Sequence, residues 1–233
     1  MQFSKVRWAL AALALNVAGA ASAASIYGTP VALADWSGPT ATRSTSDLSP
    51  GGLTGNAQWS TDFRITWDIT DNGDGTVTYN YAFSGFGSPN KDISNFVLDI
   101  SNDCSSDPLC VYDATFNGSA IGAGDIEFGD INGITGAVKF DLGSGAPAVY
   151  EFTSNRLPVW GHLAMKDGGG PATCASGSFG STALACSNQL LGIGSDADPI
   201  NYVARPNGVV PVPAAAWLFG SAIAGLGWVR RRR

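Results

Sequence analysis

The sequence predicts an all-β ectodomain, a single antiparallel sandwich with a jelly roll as one form of it, carried between two membrane-targeting ends. Three observations lead there. Apolar and polar residues alternate along several short runs, the intervening turns are rich in Gly, Asp and Asn, and no long amphipathic helix falls between Ala24 and Gly208. The 233 residues, 30 of them Gly and 12 Pro, suit one turn-rich domain with appendages. An apolar share of 45% supports a buried core and excludes wholesale disorder.

Phe63, Ile65, Trp67 and Ile69 alternate with Arg64, Thr66 and Asp68, the two-residue period of a half-buried strand. Val77, Tyr79, Tyr81 and Phe83 repeat that pattern against Thr76, Thr78, Asn80 and Ala82. Asp71-Asn72-Gly73-Asp74-Gly75 between them supplies residues that tolerate positive φ, so the two runs read as a hairpin. Phe96–Ile100 follows as a third strand, with Phe96, Leu98 and Ile100 on one face. Further strands are expected over Val111–Phe116, Asp125–Ile131, Ala137–Leu142, Ala148–Thr153, Val159–Met165 and Pro199–Ala204. Ser37–Asn56, rich in Ser, Thr, Gly and Pro, reads as a long surface loop, and Asn207–Pro213 as a short spacer. No repeat of solenoid length is present.

The two ends are of another kind. Lys5 and Arg7 precede the apolar run Trp8–Val17, and Ala21-Ser22-Ala23 fits the small-residue exit rule. Residues 1–23 therefore read as a Sec signal peptide, cut between Ala23 and Ala24, which delivers the chain to an oxidising compartment. At the other end, VVPVPAAAWLFGSAIAGLGWV (Val209–Val229) runs into Arg230, Arg231, Arg232 and Arg233. A helix over Pro213–Val229 would rise about 25 Å, the short end of a bilayer span. Positive residues stay cytoplasmic, so the Arg cluster sets the C-terminus inside and residues 24–208 outside.

This three-part tail, Pro motif, apolar helix and terminal basic cluster, resembles the PEP-CTERM sorting signal of Gram-negative bacteria. It is similar to the VPxPA form, here Val210-Pro211-Val212-Pro213-Ala214-Ala215-Ala216-Trp217-Leu218-Phe219-Gly220-Ser221, with Val212 where the family name has Glu. The resemblance is confined to residues 209–233. It implies an exosortase-type membrane protease that cuts near the motif and removes the helix after a transient stay in the inner membrane. It also implies a place at the outer surface or outside the cell, around the exopolysaccharide matrix of a biofilm.

Six of the 13 basic residues (Lys5, Arg7 and Arg230–Arg233) lie in the ends, leaving 7 against 19 acidic residues, a net charge of −12 over residues 24–208. Such a surface repels phosphate backbones, which excludes nucleic-acid binding. Cys104, Cys110, Cys174 and Cys186 all fall in the exported middle, and proximity pairs Cys104 with Cys110 and Cys174 with Cys186. Metal binding is the rival reading, but neither spacing is that of a zinc site.

Catalytic signals are thin. A single His excludes any two-imidazole centre, no G-x-S-x-G elbow occurs, and no carboxylate pair stands out for glycosidase chemistry. His162 with Asp167 is the one acid–base pairing in reach. The Asp71–Gly75 turn lacks the register of a calcium loop, Asp99, Asp103 and Asp107 form a weak acidic cluster, and Asn117-Gly118-Ser119 reads as a turn rather than a glycosylation site. Trp36, Trp59 and Trp160 are the candidates for stacking on sugar rings. Nothing in this pattern calls for a cofactor. The reading that follows is a non-catalytic exported surface or matrix protein, with a carbohydrate-binding module or an exported hydrolase as alternatives.

Overall fold

The computed structural model describes residues 24–45, 51–55, 63–85, 93–141, 148–166, 174–175, 178–179 and 183–208. Residues 1–23 and 209–233, and with them Ala23, Val210–Pro213 and Arg230–Arg233, lie outside the described residues, as do Trp59 and Asp167.

The described chain is all-β, with short 3₁₀ turns and no α-helix. In chain order the strands are β1 (Thr42–Thr45), β2 (Gly52–Gly55), β3 (Arg64–Asp71), β4 (Val77–Ser84), β5 (Asn95–Asp99), β6 (Tyr112–Phe116), β7 (Ser119–Ala120) and β8 (Ile126–Ile131). They continue as β9 (Ile134–Asp141), β10 (Ala148–Ser154), β11 (Leu157–Gly161), β12 (Leu163–Lys166), β13 (Cys174–Ala175), β14 (Ser178–Phe179), β15 (Ala183–Ser187) and β16 (Val203–Gly208). Twelve strands form one sheet in the order β7-β6-β10-β4-β3-β1-β2-β15-β12-β5-β9-β8, and β11–β16 and β13–β14 form two small ones. The β1–β2 pair is parallel, so the large sheet is mixed where a purely antiparallel one was expected.

The expected hairpin is β3–β4, in register from Arg64↔Ser84 to Asp71↔Val77. Its turn uses its own polar groups. Asp71 accepts from the Gly73 N–H at 2.8 Å, and Asp74 from the Thr76 N–H at 2.9 Å. Asn117-Gly118 forms the expected turn, with φ of 49° and 78° and the Asn117 Oδ1 accepting from the Val149 N–H.

The large sheet folds over on itself. β4 and β5 stand six places apart in the sheet order, yet Phe96 on β5 lies 5.2 Å from Tyr81 and 5.1 Å from Phe83 by ring centroids. Phe140 on β9 meets Phe152 on β10 at 5.4 Å in the same way. These rings, with Tyr79 and Tyr150, are at most 1% exposed and form the core between the two halves. The opposite face of β5, β9, β12 and β15 carries Val97, Ala137, Ala164 and Cys186, which pack with Ile134, Cys174 and Leu191 as a second, smaller cluster.

Three stretches differ from the sequence expectation. Ser37–Asn56 is not a surface loop throughout, because β1 and β2 lie inside the sheet with Ala41, Ser44 and Leu53 fully buried. Gly52 is there for space, since a Cβ on it would overlap the Ile200 carbonyl. Val159–Met165 is two strands in two sheets, β11 and β12, broken at His162. The Pro199–Ala204 stretch opens as a 3₁₀ turn (Pro199–Asn201), capped by Asp198 accepting from the Ile200 N–H at 3.0 Å. The strand lies later and takes in Asn207 and Gly208, so those residues are not spacer.

Residues 26–31 add a third line to the small sheet. The Gly28 N–H bonds the Trp160 carbonyl at 2.8 Å, the Trp160 N–H bonds the Thr29 carbonyl at 3.0 Å, and the Val31 N–H bonds the Pro158 carbonyl at 3.0 Å. With β16 on its other side, β11 is the centre of a ribbon that joins the first and last described segments.

Candidate functional site

The chemistry-bearing side chains gather where that ribbon meets the large sheet, around two arginines that sequence reading had not singled out. Arg43 on β1 is 3% exposed and spends its donors on main-chain carbonyls. Its Nε reaches Tyr202 at 2.8 Å, its Nη1 Thr42 at 2.7 Å and Thr40 at 3.0 Å, and its Nη2 Pro199 at 2.7 Å. The guanidinium carbon lies 4.8 Å from the Trp67 ring centroid and 5.4 Å from that of Trp160, a cation held between two indoles. Burial pulls its pKa down to about 10, which leaves it charged at neutral pH.

Arg205 on β16 is 1% exposed, and its Nη2 lies 3.5 Å from Asp99 Oδ2. The same oxygen accepts from the Tyr27 hydroxyl at 2.6 Å and from the His162 main-chain N–H at 3.4 Å. Tyr27 stacks on the His162 ring at 4.9 Å and lies under the Arg205 guanidinium carbon at 5.3 Å. Gly161 permits this approach, because a Cβ there would overlap Arg205 Nε. Burial raises the Asp99 carboxyl, with Arg205 opposing; burial and the Asp99 bond raise Tyr27 to about 12; burial and then Arg205 lower His162 to about 4.

His162 is therefore a neutral imidazole at physiological pH. Its Nδ1 stands 3.4 Å from the hydroxyl of Ser187, which is fully buried and also accepts from the Leu163 N–H at 3.3 Å. Asp99 addresses the His162 main chain and not its ring, so the carboxylate does not orient the imidazole as an acid–base relay requires. This arrangement ties strands together at the β11–β12 crossing.

The remaining sequence candidates are dispersed. Asp103 and Asp107 sit at the surface, held by Arg156 at 2.9 and 3.0 Å, while Asp99 points inward to Arg205, so the three carboxylates do not converge. Among the described residues no group of three or more His, Cys, Asp or Glu side chains is placed to hold a metal ion. Trp160 is 5% exposed and part of the core, which takes it out of the sugar-stacking set. Trp36 is half-buried and donates its Nε1–H to the Val31 carbonyl at 3.1 Å. Cys104 pairs with Cys110 and Cys174 with Cys186, as proximity suggested, with Cα separations of 5.3 and 6.1 Å. An open cleft of about 520 Å³ lies between β6–β7 and the start of β8, floored by Val111, Ala114, Ile121 and Ile126.

The charge picture sharpens that of the sequence. Arg43 and Arg205 are buried, and Arg156 and Lys139 each meet two carboxylates, Lys139 contacting Glu127 at 2.6 Å and Asp141 at 2.8 Å. Four of the seven cations of residues 24–208 are thus buried or paired with carboxylates, against 19 acidic residues. No helix among the described residues is long and apolar enough to cross a membrane, and residues 213–229 lie outside that set. Compared with family models, curated proteins and solved structures, the chain matches none of them.

Proposed function

We propose that residues 24–208 are the cargo of a two-signal export route. The Sec signal delivers a β-sandwich ectodomain across the inner membrane, and the tail 209–233 presents it to an exosortase-type protease for release to the cell surface or extracellular matrix, without catalysis. The observation that carries this reading is the order within residues 209–233, Pro motif, apolar run and four terminal arginines. Support comes from the ectodomain. Both of its cysteine pairs are closed, as an oxidising compartment favours. The net negative charge of residues 24–208 favours neutral glycans, or acidic polysaccharide bridged by divalent cations, over direct contact with polyanions.

Intact mass of the protein from its native host tests the route. The expected mature species begins at Ala24 and ends near Pro213. A mature chain still ending in Arg233 makes the tail a permanent anchor and rejects processing. Replacing Arg230–Arg233 by Ala should lose membrane retention or orientation while the ectodomain still folds.

A further inference from the structure

We propose that the cleft over Arg43 is a binding site for one neutral hydroxylated ring, a hexose residue of a polysaccharide. Its use in a matrix rests on the functional reading above; the site itself does not.

The cleft has a volume of about 260 Å³ and lies between the 3₁₀ turn Leu33–Asp35, the chain from Pro39 to Arg43, and the 3₁₀ turn Pro199–Asn201. Sites for drug-sized ligands run from roughly 300 to 1,000 Å³, so this one suits a single ring. Its walls are fixed in advance. Arg43 Nη2 holds the Pro199 carbonyl at 2.7 Å on one side, and Nη1 holds the Thr40 carbonyl at 3.0 Å on the other. The Thr40 hydroxyl donates to the Ala34 carbonyl at 3.1 Å, which ties the two first walls together. A ligand therefore has little chain to order on entry.

The polar groups define the ligand. A guanidinium has five N–H groups, and Arg43 spends four on carbonyls, one from Nε, two from Nη1 and one from Nη2. The second Nη2 N–H has no partner among the described residues, on a side chain that is 3% exposed and lines the cleft. Asp35 is also in the lining, and its carboxylate is close enough to act on the Arg43 charge. Among the described residues that carboxylate accepts no hydrogen bond.

One unspent donor and one unspent acceptor match a pair of ring hydroxyls, one accepting and its neighbour donating. A carboxylate ligand wants two parallel N–H groups and would meet the charges of Asp35 and Asp198, while a cation would meet the guanidinium. Neutral ligands fit best. Trp160 closes the floor at 5% exposure, too little for a ring to stack on, so the apolar contacts fall to Pro39, Pro199 and Ile200.

The test is an NMR titration of the full chain, held in a sugar-free detergent, with the methyl glycosides of glucose, galactose and mannose. At least one should bind with a Kd of about 1–30 mM and shift the amides of Thr40, Arg43 and Ile200. Glucuronate and glycine, as anionic and zwitterionic probes, should bind at least about tenfold more weakly. Asp35→Ala removes the acceptor but keeps the main-chain carbonyl that the Trp67 indole bonds at 2.9 Å. Thr40→Trp fills the cleft from an exposed position. Each should weaken the best glycoside at least about tenfold while the rest of the amide spectrum shows the fold intact. No shift from any glycoside up to about 100 mM overturns the site, and so does equal or tighter binding of glucuronate or glycine. Glycoside binding that survives both variants puts the sugar elsewhere and overturns it too. Intact mass separates the two readings. A mature chain that keeps Arg233 yet binds the glycoside at the cleft rejects sorting alone, and a trimmed chain that binds none rejects the site alone.

Discussion

The two ends of the core are held by different physics. Between β4, β5, β9 and β10 the contacts are ring on ring, with Phe96, Phe140 and Phe152 and three tyrosines closed off from water. At the junction of the ribbon with the large sheet the contacts run from cation to carbonyl, carboxylate and indole, through Arg43 and Arg205. The first region tolerates imperfect geometry because burial of apolar area is non-directional. The second does not: each partner removed leaves buried polar groups without a match. A fold that seals its ribbon with polar pins gains a defined register there at the expense of tolerance to substitution.

The largest expected effect follows from that contrast. Arg43→Ala unpairs four carbonyls and leaves a void between Trp67 and Trp160, so it should destabilise by about 4–5 kcal/mol. Phe152→Ala, a plain cavity in the aromatic region, should cost about 3–4 kcal/mol. Urea denaturation of the two variants ranks them, and a smaller loss for Arg43→Ala would break the contrast.

The same contrast governs what could be read in advance. The aromatic half was legible because its periodicity is local: Val77–Phe83 announce their buried face without reference to the rest of the chain, and the Asp71–Gly75 turn fixes the register. The junction was not, because its partners are far apart in sequence, Arg43 with Tyr202 and Tyr27 with Asp99. Polar composition misled at Ser37–Asn56, where Ser44 is fully buried and Gly52 admits a close backbone approach inside the sheet. A run of strand-like residues misled at Val159–Met165, since periodicity cannot reveal that a chain changes sheets at His162. No sequence signal pointed to the pins, because an Arg in a strand-forming run ordinarily faces solvent, whereas Arg43 and Arg205 are 3% and 1% exposed.

Next in size is Asp99→Asn, which leaves Arg205 buried without its counter-charge and should cost about 3 kcal/mol. If the loss is that of an unpaired charge, Arg205→Met added to Asp99→Asn should recover part of it. A double variant no more stable than the single one would instead assign the loss to the Tyr27 and His162 bonds on Asp99.

The junction should also respond to pH where the aromatic region does not. Folding lowers the His162 pKa from 6.5 to about 4, so the folded chain holds that proton less readily than the unfolded one. The associated stability is complete above pH 6.5 and drains away as pH falls toward 4, by about 2–3 kcal/mol. Asp99 acts in the other direction: its raised pKa gives a contribution present at low pH and lost as pH rises through the folded value. Unfolding free energies of wild type and His162→Gln from pH 7.5 to 4.5 separate the two, because Asp99 is common to both. The difference between the profiles should shrink to a constant above pH 6.5, and parallel profiles throughout would remove His162 from the pH response.

The smallest effect belongs to the ion pairs that face water. Arg156 spans Asp103 and Asp107 beside the Cys104–Cys110 loop, but Asp103 is 60% exposed, and water and salt screen what the pair gains. Side-chain bonds hold both carboxyls below the usual range, Asp103 first through Ser101 and then Arg156, and Asp107 first through Asn155. Those bonds survive in part without Arg156, so Arg156→Ala should cost less than about 1 kcal/mol. The main-chain carbonyl of Arg156, which accepts from the Tyr79 hydroxyl at 2.8 Å, is untouched by the substitution. Salt separates the two kinds of charge pair. At about 1 M NaCl, where screening acts over roughly 3 Å, the cost of Arg156→Ala should vanish while that of Asp99→Asn persists, since no ion reaches the interior. Equal salt sensitivity in the two variants would mean that the Arg205–Asp99 pair is open to solvent, and with it the β11–β16 junction.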